Sequence, residues 1–223
     1  PVDSKFSLKE LNEHLHSLPE LPDAIPYRTS YYRRQWGLCI SESKRATLSD
    51  FQEPFHVQID SSFSNGSMTV ADYCIRGTSS KEILISTYFC HPSLANDNLS
   101  GCVLTAFLAR AMQTLTLRYS YRFVFVPETI GAIAYAARNE EKLKDIDFGL
   151  VVTTVGGPGK LGMKASWDDK HFLNQYTKDV LGGCEDGFLY YPFDIHGSDE
   201  RQYSSPGFRI NTVSITKDKY YEY

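Results

Sequence analysis

Ser86-Thr87-Tyr88-Phe89-Cys90-His91-Pro92-Ser93-Leu94-Ala95-Asn96-Asp97-Asn98-Leu99-Ser100-Gly101 is the stretch on which the reading of this chain turns. It ends an apolar strand, sets a histidine and an aspartate in one short loop, and opens a helix. The strand is Ile83-Leu84-Ile85 running into Thr87-Tyr88-Phe89, a near-continuous apolar and β-prone run of the kind buried on both faces. Pro92 lacks the N–H that a sheet ladder needs and marks the strand's end. Beyond it, Leu99, Cys102, Val103, Ala106, Phe107, Arg110 and Ala111 recur at spacings of three and four, which predicts a helix that starts near Asn98 and buries this stripe against the sheet. His91 and Asp97 then lie at a strand's carboxyl end beside a helix N-terminus, where open α/β sheets bind ligands and metal sites are commonly built. The same residues admit a plainer reading, with Asp97 or Asn98 as a helix N-cap and His91 as a loop histidine satisfied by a backbone carbonyl.

Working outward, the pattern from residue 83 onward alternates strand and helix: strands over 83–89, 121–126 and 148–155, with helices over 99–115 and 130–143. Such alternation implies parallel strands joined by crossover helices, because a tight turn cannot join parallel neighbours. A further helix is predicted over 169–181 and a last strand over 208–215. Upstream, Ser7-Leu8-Lys9-Glu10 is a capping box, and Leu8, Leu11, Leu15 and Leu18 follow on one helical face until Pro19 and Pro22. His14 and His16 read as solvated. Two alternating runs, 55–63 and 68–75, flank Ser64-Asn65-Gly66-Ser67, a strong hairpin signal, so 36–77 is expected to be a small all-β module.

The 223 residues, 42% hydrophobic and 22% charged, suffice for one substantial core plus a small inserted module. A formal net charge of -4, with Lys and Arg dispersed apart from Arg33-Arg34 and Lys44-Arg45, gives no basic face for nucleic acid. No window approaches the roughly 18 consecutive apolar residues of a membrane span, and Pro1-Val2-Asp3-Ser4-Lys5 is not a signal peptide. The five cysteines are odd in number, widely spaced and without a C-x-x-C pair, which suits reduced thiols in a cytoplasm.

Three further loops fall where a sheet edge should be. Glu128, in Val126-Pro127-Glu128-Thr129-Ile130-Gly131, comes just past a strand and just before a helix; it can be a metal ligand, a general base toward metal-bound water, or simply a first-turn Glu favoured by the helix dipole. Thr153-Thr154-Val155-Gly156-Gly157-Pro158-Gly159 is glycine-rich but lacks the Lys-Ser/Thr of a phosphate loop, so it reads as a sharp bend. Asp194-Ile195-His196-Gly197-Ser198-Asp199-Glu200-Arg201 is dense in candidate ligands, the plainer alternative being a solvated loop with Ser198 or Asp199 as a cap. His56 and His171 are not expected to be ligands.

Asn96-Asp97-Asn98-Leu99-Ser100-Gly101 resembles the Asp-Asp-Asn-x-Ser-Gly signature of zinc aminopeptidases, Glu128-Thr129-Ile130-Gly131 is similar to their Glu-Glu-x-Gly, and Gly197-Ser198-Asp199-Glu200 to their Gly-Ser-Asp-His. The longer strings around them resemble aminopeptidase-like proteins associated with polysaccharide biosynthesis, over nearly the whole chain. The resemblance implies an α/β fold of the zinc-exopeptidase kind, a three-layer α/β/α mixed sheet, with 1–35 and 78–223 as the core and 36–77 as the inserted β module. It makes His91 the first zinc ligand and Glu128 the general base. The signature's first Asp, which bridges two metals, falls on Asn96; Asp97 takes the second position, while Thr129 and Thr153 stand where anionic ligands are expected. Neutral side chains cannot supply those anionic oxygens, so at most one zinc ion is expected, held by His91, Asp97 and a further donor such as His196, with Asn96, Asp199, Glu200 and Arg201 around the substrate. A histidine motif of the family would follow Glu222-Tyr223, so the chain reads as a fragment, and its N-terminus shows no strand run of its own. The function implied is metal-dependent hydrolysis of an amide or peptide bond in a small peptide or amide-bearing substrate. The competing expectation is a catalytically degenerate fold that binds a ligand or partner in polysaccharide biosynthesis, with the β module free to cover the site or to form a homo-oligomer contact.

Overall fold

In the computed structural model, which describes residues 1–26, 28 and 33–217, Ser7 starts the first helix as the capping box predicts. Its Oγ accepts the Glu10 N–H at 3.3 Å, and Glu10 Oε2 accepts the Ser7 N–H at 2.8 Å. The chain divides into two units, Pro1–Gly66 and Ser67–Tyr223. The first holds β1 (Val2–Phe6), α1 (Leu8–Asn12), β2 (Leu15–His16), β3 (Leu38–Cys39), α2 (Glu42–Ala46) and β4 (Phe55–Ile59). Its helix stops after one turn, so Leu15 sits in β2, paired in parallel with β3, and packs with Leu11 and Val57 in a small core. His14 is not solvated: its ring stacks on Trp36 with centroids 3.7 Å apart. His56 pairs with Asp3 at 2.5 Å across β1 and β4.

Two expectations are corrected here. The N-terminus does carry a strand, β1, and it is β1 that pairs with β4, antiparallel, from Val2↔Ile59 to Phe6↔Phe55. The run expected as the second arm of a hairpin, β5 (Ala71–Ile75), belongs instead to the sheet of the second unit. The boundary therefore falls at 66/67, with residues 1–35 outside the α/β unit and 67–77 inside it, unlike the expected division at 35 and 77.

The second unit continues with β6 (Glu82–Tyr88), α3 (Gly101–Met112), β7 (Ser120–Val126), α4 (Ile130–Arg138), α5 (Glu140–Lys144), β8 (Phe148–Val152), β9 (Leu161–Lys164), α6 (Phe172–Gly182), β10 (Phe188–Tyr191), α7 (Glu200–Tyr203) and β11 (Asn211–Lys217). Seven strands form one mixed sheet in the order β10-β9-β11-β8-β6-β7-β5. β6 pairs in parallel with both β7 and β8, and β11 in parallel with β8, while β5 and β9 are antiparallel to β7 and β11. β6 is buried at every position after its first, as its apolar run predicts.

Electrostatics explains why β5 joins β7. Arg122 on β7 is buried and needs counter-charges; it meets Glu82 at 2.6 Å and Asp72 of β5 at 2.7 Å, and Asp72 Oδ2 also accepts from Tyr135 of α4 at 2.7 Å. An Asn-Gly pair two residues long has no comparable hold on its neighbour.

Alternate residues of β8 serve opposite faces: Val152, Leu150 and Phe148 face the α3 and α6 side, Val151 the α4 side. The arrangement is the expected three-layer α/β/α mixed sheet. The face of α3 is not the expected one. Gly101, Thr105 and Ala109 turn inward, while Leu99, Val103 and Phe107 are exposed. Small residues let the helix lie close to the sheet; a Cβ on Gly101 would stand 2.7 Å from the Val152 carbonyl. α6 begins at Phe172 with His171 as its N-cap, accepting the Leu173 N–H at 3.3 Å. No described helix is long and apolar enough to cross a membrane. The Glu222-Tyr223 end lies outside the described residues.

Arg122→Ala strands two partly buried carboxylates, so it should cost about 3–5 kcal/mol of stability in urea unfolding. Burial tends to raise the Glu82 carboxyl, and the hydrogen bonds and charge of Arg122 outweigh it, leaving the group below its ordinary 4.5. This contribution is present above about pH 4.5 and lost in more acid solution, so the gap between wild type and variant should narrow there.

Candidate active site

The parallel strands β6, β7 and β8 end on the same edge of the sheet, and the loops after them carry the candidate residues, as the position of ligand sites in open α/β sheets leads one to expect. His91 follows β6 and Glu128 follows β7. Their side chains meet, with Nε2 3.7 Å from Oε2, and are 25% and 22% exposed, open enough to reach a ligand and closed enough to be shaped by the protein. Ser198, from the loop before α7, donates its Oγ to Glu128 Oε1 at 2.8 Å. Burial raises the Glu128 carboxyl above its ordinary value; Ser198 and His91 oppose this, and the charges of Asp97 and Glu200 add to it. On the far side of the turn the Glu128 N–H donates to Cys90 Sγ at 3.1 Å, and burial is the main cause that raises the Cys90 thiol.

Asp97 and Asn98 sit in an irregular turn, Ala95–Ser100, with dihedrals outside the helical range. Neither Asp97 nor Asn98 is a helix N-cap here. Asp97 Oδ1 accepts from Tyr88 Oη at 2.5 Å, and the same phenol meets Thr153 Oγ1 at 2.8 Å, so a hydroxyl network joins the ends of β6 and β8. Asn96 Oδ1 accepts the Gly156 N–H at 2.9 Å, and Ser100 Oγ accepts the Val155 N–H at 3.0 Å. The glycine-rich bend is thus held to the turn before α3.

The 194–201 loop divides. Glu200 is fully buried and accepts from Lys164 Nζ at 2.9 Å and from the Ser198 N–H at 3.2 Å, so it is a counter-ion and not a substrate group. Asp199, also fully buried, accepts the Thr129 N–H at 2.7 Å. Arg201 reaches Thr129 Oγ1 at 3.3 Å and the Ile195 carbonyl at 3.3 Å. His196 is exposed; its N–H donates to Asp194 Oδ1 at 2.9 Å, and its carbonyl accepts from Lys164 Nζ. The described residues contain no group of three or more His, Cys, Asp or Glu side chains placed to hold a metal ion. Glu200 is engaged by Lys164, Asp199 backs Thr129, and Asp97 takes the Tyr88 hydroxyl, so the donors present do not close a zinc site among themselves.

The structure brings His91, Glu128 and Ser198 together, with Asp97 near enough to act on the Glu128 charge; it does not bring His196 into a ligand cluster. Tyr88 lies within the quoted motif without an expected role and Ser198 only as a candidate helix cap, and a hydroxyl inside a conspicuous string is the available signal. Nothing local to Lys164 announced its pairing, which joins β9 to a loop more than 30 positions away.

A family model described as a domain of unknown function (DUF4910) matches residues 17–223. A Clostridium acetobutylicum protein, provisionally named a polysaccharide biosynthesis protein with aminopeptidase-like domain, is 44% identical over 220 residues, covering 99% of this chain and 50% of that protein. A crystal structure from the same organism, provisionally called a peptidase, superposes with a TM-score of 0.85 at 43% identity over 99% of this chain and 52% of its own. An aminopeptidase from Aneurinibacillus sp. strain AM-1 superposes at 0.56 with 21% identity over 66% of this chain and 39% of its own, a likeness of fold. The chain spans about half the length of the Clostridium relatives it matches.

Asp199 offers a direct electrostatic check. Burial pushes its carboxyl from 3.8 up to about 8, with the charges of Glu128 and Glu200 adding and the Thr129 N–H and Arg201 opposing. A raised acid keeps its proton in the folded chain after the unfolded chain has lost it, so it lowers stability progressively as pH rises from about 4 to about 8. Urea unfolding of wild type should therefore lose ground to Asp199→Asn across that window; parallel curves would mean that Asp199 titrates normally.

Proposed function

The chain belongs to the DUF4910 family, and from that membership we propose that it is the aminopeptidase-like part of a hydrolase that cleaves an amide or peptide bond in a small substrate. What supports this is Glu128: a carboxylate at the end of a central parallel strand, raised by burial, held by Ser198 and 3.7 Å from His91. A carboxylate so raised lies nearer to neutral pH, where a general base both accepts and returns a proton efficiently. Glu128 would take the proton of a water as its oxygen adds to the amide carbonyl and give it to the departing amine. His91 adjoins the same carboxylate and would bear on the charge that moves there.

The cofactor proposed with this activity is one zinc ion, with His91 and Asp97 as two of its donors. A third donor is needed that the described residues do not provide. A second reading, a peptidase fold retained for binding in polysaccharide biosynthesis, is favoured by the Tyr88–Thr153–Asp97 network and the Lys164–Glu200 pair, which use polar groups of the site to hold the fold.

A panel of aminoacyl anilides, tested with and without added zinc or manganese, separates these readings. Glu128→Gln should lower turnover by about 10²–10⁴-fold with thermal stability little changed. Chelator should abolish turnover and about one equivalent of zinc restore it; chelator-insensitive turnover would leave Glu128 and His91 working without metal. Absence of turnover, with an amide ligand still bound by Glu128→Gln, would sink the hydrolase and favour the binding protein.

A further inference from the structure

We propose that Asp199 is a positioning residue that clamps a strained turn and thereby sets where the Glu128 carboxylate points; its catalytic meaning, though not the clamp itself, rests on Glu128 being the base. Thr129 has φ 62° and ψ -71°, and the Ile130 N–H donates across it to the Glu128 carbonyl at 2.7 Å. That is a γ-turn of the positive-φ kind, rare and strained, and here it is occupied by a β-branched residue for which positive φ is a genuine outlier. Such a conformation persists only when its surroundings over-determine it.

The surroundings do so from both directions. Downstream, the Gly131 N–H donates to the Pro127 carbonyl at 2.9 Å, and α4 begins so tightly that a Cβ on Gly131 would lie 2.6 Å from Pro127 Cδ. From across the site, one short segment makes three contacts: Asp199 Oδ1 accepts the Thr129 N–H at 2.7 Å, Arg201 Nη2 donates to Thr129 Oγ1 at 3.3 Å, and Ser198 Oγ donates to Glu128 Oε1 at 2.8 Å. The preceding amide, of Glu128, is held by Cys90 Sγ. Consecutive N–H groups are thus captured by two separate loops, which fix the backbone from which the Glu128 side chain extends toward Ser198 and His91. Asp199 Oδ2 is buried without a hydrogen-bond partner among the described residues. A residue selected only to fill space would not leave a buried oxygen unmatched, whereas one kept as the acceptor for Thr129 carries that cost with it.

Amide hydrogen exchange resolved by NMR tests the clamp without requiring activity. In Asp199→Ala the Thr129 and Glu128 amides should exchange at least about tenfold faster, with protection in β6 and β7 unchanged. Asp199→Asn keeps a carbonyl acceptor and should hold both amides within about twofold of wild type. Adding Thr129→Gly to Asp199→Ala should restore the Glu128 amide toward its wild-type rate, because glycine adopts positive φ without steric cost. Wild-type exchange in Asp199→Ala, or faster exchange in Asp199→Asn, or no restoration by Thr129→Gly, would overturn the proposal. If Asp199→Ala does not fold, the Asn variant decides alone. For turnover, Asp199→Ala should lower kcat and leave KM nearly unchanged. Exchange results as expected with no hydrolysis by any form would remove the hydrolase reading and leave the clamp; turnover that needs Glu128 but ignores these exchange rates would remove the clamp alone.

Discussion

One buried carboxamide holds the working edge of the sheet together. Asn98, 2% exposed, donates from Nδ2 to Thr87 Oγ1 and to the Tyr88 carbonyl, each at 3.0 Å, and accepts the Thr154 N–H on Oδ1 at 2.9 Å. Thr87 Oγ1 in turn donates to the Val152 carbonyl at 2.8 Å, so the end of β6 is tied to the end of β8 twice. Only an amide offers two donors and an acceptor in this geometry; an ionised carboxylate would set acceptor against carbonyl in a place without water. The flanking residues use the same device, with Asn96 and Ser100 holding the backbone of Gly156 and Val155. The stretch first read as a ligand loop is therefore also a bracket, and Asp97 is presented from it because its neighbours are fixed.

That double duty explains what could be read from the sequence and what could not. β6 was legible because burial on both faces leaves an unbroken apolar run, and the Glu128 loop because a strand, a proline and a helix start follow in order. α3 misled because its inward face is Gly101, Thr105 and Ala109, chosen for closeness rather than hydrophobicity, while its larger apolar residues point outward. The pairing of β1 with β4 and of β5 with β7 depends on partners roughly 50 residues apart, and for β5 on the charge of Arg122, which no local pattern records. Within the site, His91 and Glu128 came from motif and position. The roles of Asn96, Asp199 and Glu200 depended on which backbone or side chain happened to face them.

The chemistry left at the edge is correspondingly selective. Thr153, fully buried, shares the Tyr88 hydroxyl with Asp97, so an uncharged hydroxyl stands beside that carboxylate at the end of β8. Glu128 is held by one serine hydroxyl and raised by burial, and the charge of Asp97 adds to the rise. The hydroxyl and amide network and the Glu128 carboxylate are thus built from different residues.

Lys164 and Glu200 have a further consequence for how such a chain can drift. The ammonium is 5% exposed and the carboxylate 0%, and Gly197, at φ 139°, has no room for a side chain between them. Losing the Lys164 charge strands the Glu200 carboxylate away from water, at a cost of about 3–5 kcal/mol, whereas losing Glu200 leaves the ammonium a second partner, Asp194 Oδ1 at 2.9 Å. A substitution of Lys164 must then follow or accompany one of Glu200. Among descendants of a common ancestor, 164 should not change while 200 remains an acid, and the loop bearing Ser198 and Asp199 inherits that inertia.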